Sequence, residues 1–332
     1  KKGIVIAGII FAVLLGTLIL VPVLFRDTLL EKTKSTISNN LKVNVGFDGF
    51  RLSLIRSFPR ASLTLTDVLV TGKEAFSGDT LLRISSLSTK FGLFDLMSPG
   101  NLTIQELILD QPELHLKVNA AEQANWDILP EEKPGTVTAP GKKEGTFGLE
   151  LNKILINKGA VSFTDVTLPL QLDFSDLQLL FKGNMYGSNT RLKAEGSAGS
   201  LNLTYDSATY ISQVRLELQS LLDIQLDTWQ FAFNESELLV NDLPVGLSGT
   251  FAMPGDSLFF DLAFAAKASA FADYLTLVPP GYEHYLKDLK AEGNAELKGS
   301  FKGLYYEEEY PALDLNFRIS NGQVRYAGLP EE

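Results

Sequence analysis

Apolar and polar residues alternate along most of the chain beyond residue 41, which is the pattern of β-strands that bury one face. Residues 147 to 264 continue this alternation and contain no convincing amphipathic helical pattern. Turn-forming residues separate the alternating runs. They stand at Asn157-Lys158-Gly159, Lys182-Gly183-Asn184, Asn241-Asp242 and Pro254-Gly255-Asp256. The pattern predicts an antiparallel meander.

A weak internal repeat accompanies the alternation. Residues 156–163 and 319–326 each read as the end of an apolar strand, a glycine turn and a second alternating strand. Two copies of such a hairpin signal are poor evidence of duplication. The chain stops at Pro330-Glu331-Glu332, directly after a predicted strand. We therefore expect it to be part of a longer protein.

Helical patterns are short and few. Apolar residues recur at helical spacing in residues 27–41, and short helices are predicted at residues 268–277 and 282–289. Residues 130–146 are rich in proline, glycine and charge, which predicts a flexible linker or a long hairpin loop.

Residues 4–25 form an uncharged apolar run, which as a helix would span about 33 Å and match the hydrocarbon core of a bilayer. No small-residue cleavage pattern follows it, so an uncleaved transmembrane anchor is predicted rather than a signal peptide. Lys1 and Lys2 precede the run and place the N-terminus in the cytoplasm, although Lys32 and Lys34 at its other end count against that orientation.

These patterns divide the chain into consecutive segments. They are an anchor (residues 1–26), a helix followed by strands (27–129), a flexible loop (130–146), a β-meander (147–266), and short helices with the start of a further β segment (267–332).

Composition narrows the classes of function. The formal net charge of −11 would repel a phosphate backbone, so a nucleic-acid partner is not expected. The chain has no cysteine, which excludes disulfides, thiolate zinc sites and cysteine nucleophiles.

Residues able to do chemistry are scattered. His115 and His284 are the two histidines, and neither has a metal-ligand pattern nearby. The adjacent glutamates lie beside turn residues, where carboxylates are normally solvated, and Gly196-Ser197-Ala198-Gly199 reads as a hairpin turn. The sequence therefore predicts a protein that is not an enzyme and has no cofactor or metal.

The large apolar strand surface must be covered by a helix, a second sheet or a ligand. Alternation alone favours a closed β-sandwich. An open groove for acyl chains needs the same pattern, so alternation cannot separate the two.

A resemblance adds to this picture. After the anchor come Ser57-Phe58-Pro59, the run from Leu102 to Leu116 with its alternating leucines, and Asn125-Trp126-Asp127. Gly299 and Gly303, Asn321-Gly322 and Gly328-Leu329-Pro330 follow in the last segment. In order and spacing these resemble the AsmA family of bacterial envelope proteins.

The resemblance implies a mainly β fold with a chorein-like start, in which a long twisted antiparallel sheet curls into a groove and carries a few short helices. Such proteins resemble bridge-like lipid transfer proteins. The implied function is non-catalytic carriage of phospholipid between inner and outer membranes, which maintains outer-membrane integrity. The implied location is the bacterial inner membrane, with one span and the bulk of the chain in the periplasm. Phospholipid, the membrane and other envelope proteins are the expected partners.

Strands of five to seven residues would span about 17–20 Å, a length comparable to an acyl chain. An ordinary core position gives the same pattern as a lipid-facing one, and a register error of one residue would exchange the faces. The lipid-facing candidates are Val161, Phe163, Leu168, Leu170, Leu172, Phe231, Phe233, Phe260, Leu262 and Phe264.

Two other functions fit the sequence. A scaffold for outer-membrane protein assembly would have a closed β core and use exposed strand edges. A glycan- or peptide-binding domain is less favoured, because the aromatic residues are not clustered on loops.

Overall fold

The computed structural model describes residues 41–53, 60–92, 104–128, 151–185, 189–225, 227–255, 257–286, 288–306 and 309–326. They form one 14-stranded sheet whose strand order follows the chain, except that β1 and β2 both pair with β3. The strands are β1 (Val43–Gly46), β2 (Gly49–Ser53), β3 (Arg60–Gly72), β4 (Thr80–Gly92), β5 (Ile104–Val118), β6 (Lys153–Asp165), β7 (Leu170–Lys182), β8 (Asn189–Tyr205), β9 (Ala208–Gln225), β10 (Gln230–Val240), β11 (Leu243–Ala252), β12 (Leu258–Ala270), β13 (Leu289–Tyr305) and β14 (Ala312–Tyr326).

The mainly β prediction is confirmed, and the sheet is open. No second sheet covers it among the described residues, so the closed sandwich is not found there. The predicted anchor and the 130–146 loop lie outside the described residues. Within the described part of the chain, no helix has the length and apolar character needed to cross a membrane.

One pair of strands departs from the predicted antiparallel arrangement. β5 and β6 run parallel, with Leu109 opposite Ile156 and Leu116 opposite Phe163. Parallel neighbouring strands need a long connection that returns the chain to the end of the sheet where the first strand began. Residues 119–152 connect the two strands, and nothing in their sequence indicates the direction of the strands on either side.

The long strands contain bulges where the sequence predicted turns. Asn157-Lys158-Gly159 lies inside β6, and Lys158 has a φ of 52°. Asn321 of the second repeat copy has a φ of 53° inside β14, and Gly199 stands at a register shift inside β8. The hairpin reading of these three segments was wrong, because a bulge uses the same residue types as a turn without reversing the chain.

The helices are shorter than predicted. Helix α1 is Phe271–Leu275 rather than residues 268–277, because β12 continues to Ala270, which pairs with Asn294. Helix α2 is Glu283–Leu286, preceded by a 3₁₀ turn at Pro280–Tyr282; another 3₁₀ turn is Glu74–Phe76.

Candidate functional site

Strand register collects the apolar residues on one face of the sheet, which we call the inner face. Residues directly opposite each other on neighbouring strands share a face. Val161 of β6 pairs with Phe174 of β7, and Phe174 pairs with Leu201 of β8. The same arrangement repeats from strand to strand along the sheet.

One row of paired residues crosses thirteen strands without a polar side chain, and we call it the apolar row. Each member is the register partner of the next. From β2 to β14 its members are Phe50, Leu65, Leu87, Leu109, Ile156, Leu179, Gly196, Leu218, Leu238, Val245, Ala266, Leu297 and Phe317.

Nine of the ten lipid-facing candidates lie on this inner face. Their register places them there: Val161, Phe163, Leu170 and Leu172 on β6 and β7, Phe231 and Phe233 on β10, and Phe260, Leu262 and Phe264 on β12. Leu168 lies outside the strands, in the turn between β6 and β7. Whether these side chains contact lipid stays a prediction.

Bulges keep the apolar residues on the inner face along each strand. In β6 the inner residues are Ile154 and Ile156 before the bulge and Val161 and Phe163 after it. The extra residue at the bulge shifts the alternation from even to odd positions, and the sequence shifts its apolar positions with it. The shift in alternation at Asn157-Lys158-Gly159 therefore keeps the apolar side chains of β6 on one continuous face.

The outer face is mainly polar, although Leu155 of β6 and its register partners Ile108 and Leu180 form an apolar group on it. Lys153, Asn157, Ser162 and Thr164 are the outward neighbours of the inner residues of β6. Ion pairs join several outer positions, among them Arg191 with Asp223 at 2.6 Å and Lys302 with Asp261 at 2.8 Å. These pairs are exposed, so each adds little to stability.

The sheet curls around its inner face. Leu192, Ala194, Leu222 and Ile224 are at most 8% exposed, although among the described residues no second sheet covers them; neighbouring side chains pack against them, including Met185 from the turn after β7. Burial raises the pKa of Tyr305 on β13, with smaller contributions from Tyr310 and from Asp165 at the end of β6. Asp165 lies seven strands away in sheet order. The Pro280–Tyr282 turn, which follows β12 and α1, packs against β9 three strands away, so distant parts of the sheet approach each other, as expected of a curled sheet.

Two segments close over parts of the groove. Tyr274 of α1 is 7% exposed, packs in a cluster with Leu243 and Ala266, and donates its hydroxyl to the Ala295 carbonyl at 3.0 Å. The loop after β5 brings Trp126 to Phe163, with a ring-centroid distance of 6.0 Å. Both contacts lie on the inner face.

An aromatic ladder runs along the inner face near one end of the strands. Phe231, Phe251, Phe260 and Phe301 come from four successive strands, with centroid distances of 6.0, 5.2 and 5.0 Å. Elsewhere on this face the buried hydroxyls of Ser220 and Ser236 bond to each other at 2.5 Å, whereas the buried hydroxyls of Thr89 and Ser269 have no hydrogen-bond partner among the described residues.

The histidines and carboxylates form no catalytic arrangement within the described residues. His115 shares a hydrogen bond with the Ser162 hydroxyl at 2.8 Å, and the ring of His284 lies beside Tyr285. No group of three metal-ligating side chains is found in the part of the chain that the structure describes.

The sequence-based candidates missed the apolar row altogether. Leu109 and Leu179 belong to alternating runs that the sequence revealed, but nothing local distinguishes them from Leu107 or Leu177. Only the pairing of distant strands shows that they stand side by side. The apolar row therefore could not be predicted from the order of residues along the chain.

Comparison with known proteins gives one family. The sequence model of the AsmA family matches residues 2–234. Neither curated proteins nor solved structures gave a match.

Proposed function

The chain belongs to the AsmA family of envelope proteins, and on that premise we propose that its inner face carries the acyl chains of phospholipids between the two membranes of the envelope. The protein does this without catalysis or a cofactor. Residues 4–25 anchor it once in the inner membrane, and the bulk of the chain lies in the periplasm.

The observation that carries the proposal is the unbroken apolar row. An apolar surface that crosses thirteen strands costs free energy in water, and a soluble protein rarely leaves one uncovered. Helix α1 packs over the β10–β14 end of the row, against Leu238, Val245, Ala266, Leu297 and Phe317. From β2 to β9 no second sheet covers the row among the described residues. Acyl chains would cover that part of the row and could move along it, because it offers no polar group to hold them.

The dimensions of the groove suit this ligand. The bulge at Asp176 divides β7 into two arms, residues 170–175 and 177–182. An arm of this length spans about 20 Å, and the bulge bends one arm towards the other. The walls are therefore about as high as one acyl chain is long.

Photo-crosslinking in living bacteria tests the proposal. Benzoylphenylalanine replaces Leu179 or Leu218 of the apolar row in the full chain, and adducts are identified by mass spectrometry after irradiation. We expect phospholipid adducts at both positions.

Matched controls place the same residue one position away, at Gln178 and Glu217 on the outer face. These should give no lipid adduct. Equal labelling of both faces, or only protein adducts at Leu179 and Leu218, would refute the groove and favour the assembly scaffold.

A further inference from the structure

A row of charged residues follows the apolar row on the outer face, and we call it the lysine row. Lys90, Glu106, Lys153, Lys182 and Lys193 are successive register partners on β4 to β8. Lys153 begins β6 and Lys182 ends β7, so the row lies at the rim of the groove on these two strands, whereas β8 continues four residues beyond Lys193, to Asn189. On both strands it stands three residues from the apolar row, about 10 Å away.

The row contains more positive than negative charge. Lys90 pairs with Glu106 at 2.5 Å and Lys193 with Glu195 at 2.6 Å. Within the described residues, Lys153 and Lys182 form no ion pair of their own. Lys182 lies directly opposite Lys153 on one side and Lys193 on the other. Like charges in such positions destabilise a sheet.

The rest of the sheet arranges its charges differently. Register partners such as Arg83 and Glu113, Arg191 and Asp223, and Glu296 and Arg318 have opposite charges. In the described strands, Lys290 opposite Arg325 is the one like-charged pair outside the lysine row. In a chain of net charge −11, a run of three adjacent lysines is the exception.

Acidic residues lie at the opposite rim. Asp165 ends β6, and the turns after β8 and β10 contain Asp206 and Asp242. The rim with the lysine row is itself acidic further along the sheet, where Asp227 follows β9 and Glu309 lies between β13 and β14. An anion at the mouth of the groove is therefore attracted to this rim at β6 to β8 and not along its whole length.

We propose that the lysine row binds the phosphate of net-negative phospholipid headgroups while their acyl chains lie along the apolar row. The inference rests on the proposed function and names the lipid class and its orientation. Lysine side chains extend their charge beyond the apolar stem, so they can reach over the rim to a phosphate. Lipids with net-negative headgroups then travel with their phosphates at this rim.

The test compares the lipids captured at Leu179 by the crosslinking experiment. In the full chain, Lys153, Lys182 and Lys193 are replaced together by glutamine; these side chains lie on the outer face, so folding is expected to survive. A control replaces Lys267, Lys290 and Lys298, three exposed outer lysines on β12 and β13. Among the adducts, the ratio of phosphatidylglycerol to phosphatidylethanolamine should fall about tenfold in the first variant and stay unchanged in the second.

The outcomes separate the headgroup site from the proposed function. If the lipid ratio is unchanged in the first variant while lipid is still captured, only the headgroup site is overturned. If the unmodified chain gives no lipid adducts, the proposed function is overturned as well. Flotation with phosphatidylglycerol vesicles reports surface binding: loss of flotation with an unchanged ratio would show that the row binds a membrane surface instead. Titration of the purified chain with inorganic phosphate should show no lysine-dependent binding; such binding would identify a free-anion site and overturn the proposal.

Discussion

The two faces of the sheet are built from the same strands and have opposite chemistry. Ile154, Ile156 and Val161 point to the inner face, and Lys153, Asn157 and Ser162 point to the outer face of the same strand. The inner face is continuous along the apolar row because every paired neighbour there is apolar; elsewhere it includes a few hydroxyl side chains such as Thr89 and Thr190. The outer face is interrupted by serines, amides and ion pairs.

The difference between the two faces explains how an open sheet of this length remains stable in water. A polar outer face can stay in water without a second layer. The inner face avoids water by curling, which the bulges promote, and by the short covers that Tyr274 and Trp126 supply. The surface that remains open between these covers is the part available to a ligand.

A charge placed on the inner face should have the largest effect. Ile224→Asp puts a carboxylate at a position that is 8% exposed, next to Leu222 and Phe231. We expect the free energy of unfolding to fall by about 4 kcal/mol, because the charge is buried without a partner. Urea unfolding of the full chain in detergent, followed by tryptophan fluorescence, measures it.

The matched control is Gln225→Asp, one residue further on the exposed outer face. It should change the unfolding free energy little. If both variants lose the same stability, the two faces do not differ in the way proposed.

A cavity created beneath helix α1 should have the second-largest effect on stability. Leu243 is 1% exposed and packs with Tyr274, so Leu243→Ala should cost about 3 kcal/mol of unfolding free energy. Leu313→Ala removes the same atoms from an inner-face position of β14 that is 59% exposed, and should cost much less. Equal losses in the same urea experiment would contradict the packing described around α1.

Loss of one buried hydrogen bond should weaken the packing of helix α1 and leave the rest of the sheet unchanged. Tyr274→Phe removes the hydroxyl that donates to the Ala295 carbonyl, at a cost of about 1 kcal/mol. Amide hydrogen exchange should accelerate in residues 271–286 and stay unchanged in β6 and β7. Uniform acceleration across the sheet would mean that the cover and the sheet unfold together.

Acid should remove the contribution that Glu106, on the outer face, makes to the free energy of unfolding. The hydrogen bond from Lys90, assisted by the charges of Lys90, Lys153 and Arg60, lowers the pKa of Glu106 from its ordinary value of 4.5 despite partial burial. A lowered folded-state pKa stabilises the fold above pH 4.5, and this contribution disappears as the pH falls through the folded-state value. Glu106→Gln should therefore show a smaller loss of stability on acidification than the unmodified chain. An unchanged acid dependence would exclude Glu106 as a contributor.

The smallest effect is expected from an exposed ion pair. Arg191 makes two hydrogen bonds to the carboxylate of Asp223, and the pKa of Asp223 is lowered chiefly by them. Both groups are solvated, so Arg191→Gln should leave the urea midpoint within experimental error at moderate salt. A clear loss would show that outer-face charges stabilise the curl more than their exposure suggests.

Local sequence was enough to predict a mainly β chain and the alternation of most strands. It also indicated the turns at Asn241-Asp242 and Lys182-Gly183-Asn184, because such residues accept the backbone angles of tight turns. It failed at Lys158 and Asn321, where the same residue types produce bulges. The parallel step from β5 to β6 was also missed, since no local pattern records which distant strand a segment will pair with.

One side of nearly every strand is apolar as a direct consequence of the order of amino acids, because alternation is a property of successive residues. Strand pairing, in contrast, places Leu109, Ile156 and Leu179 side by side and brings Lys153, Lys182 and Lys193 together. These neighbours are separated along the chain and meet through backbone pairing between strands. A continuous groove and a charged rim are therefore properties of register, which is fixed when the whole sheet forms.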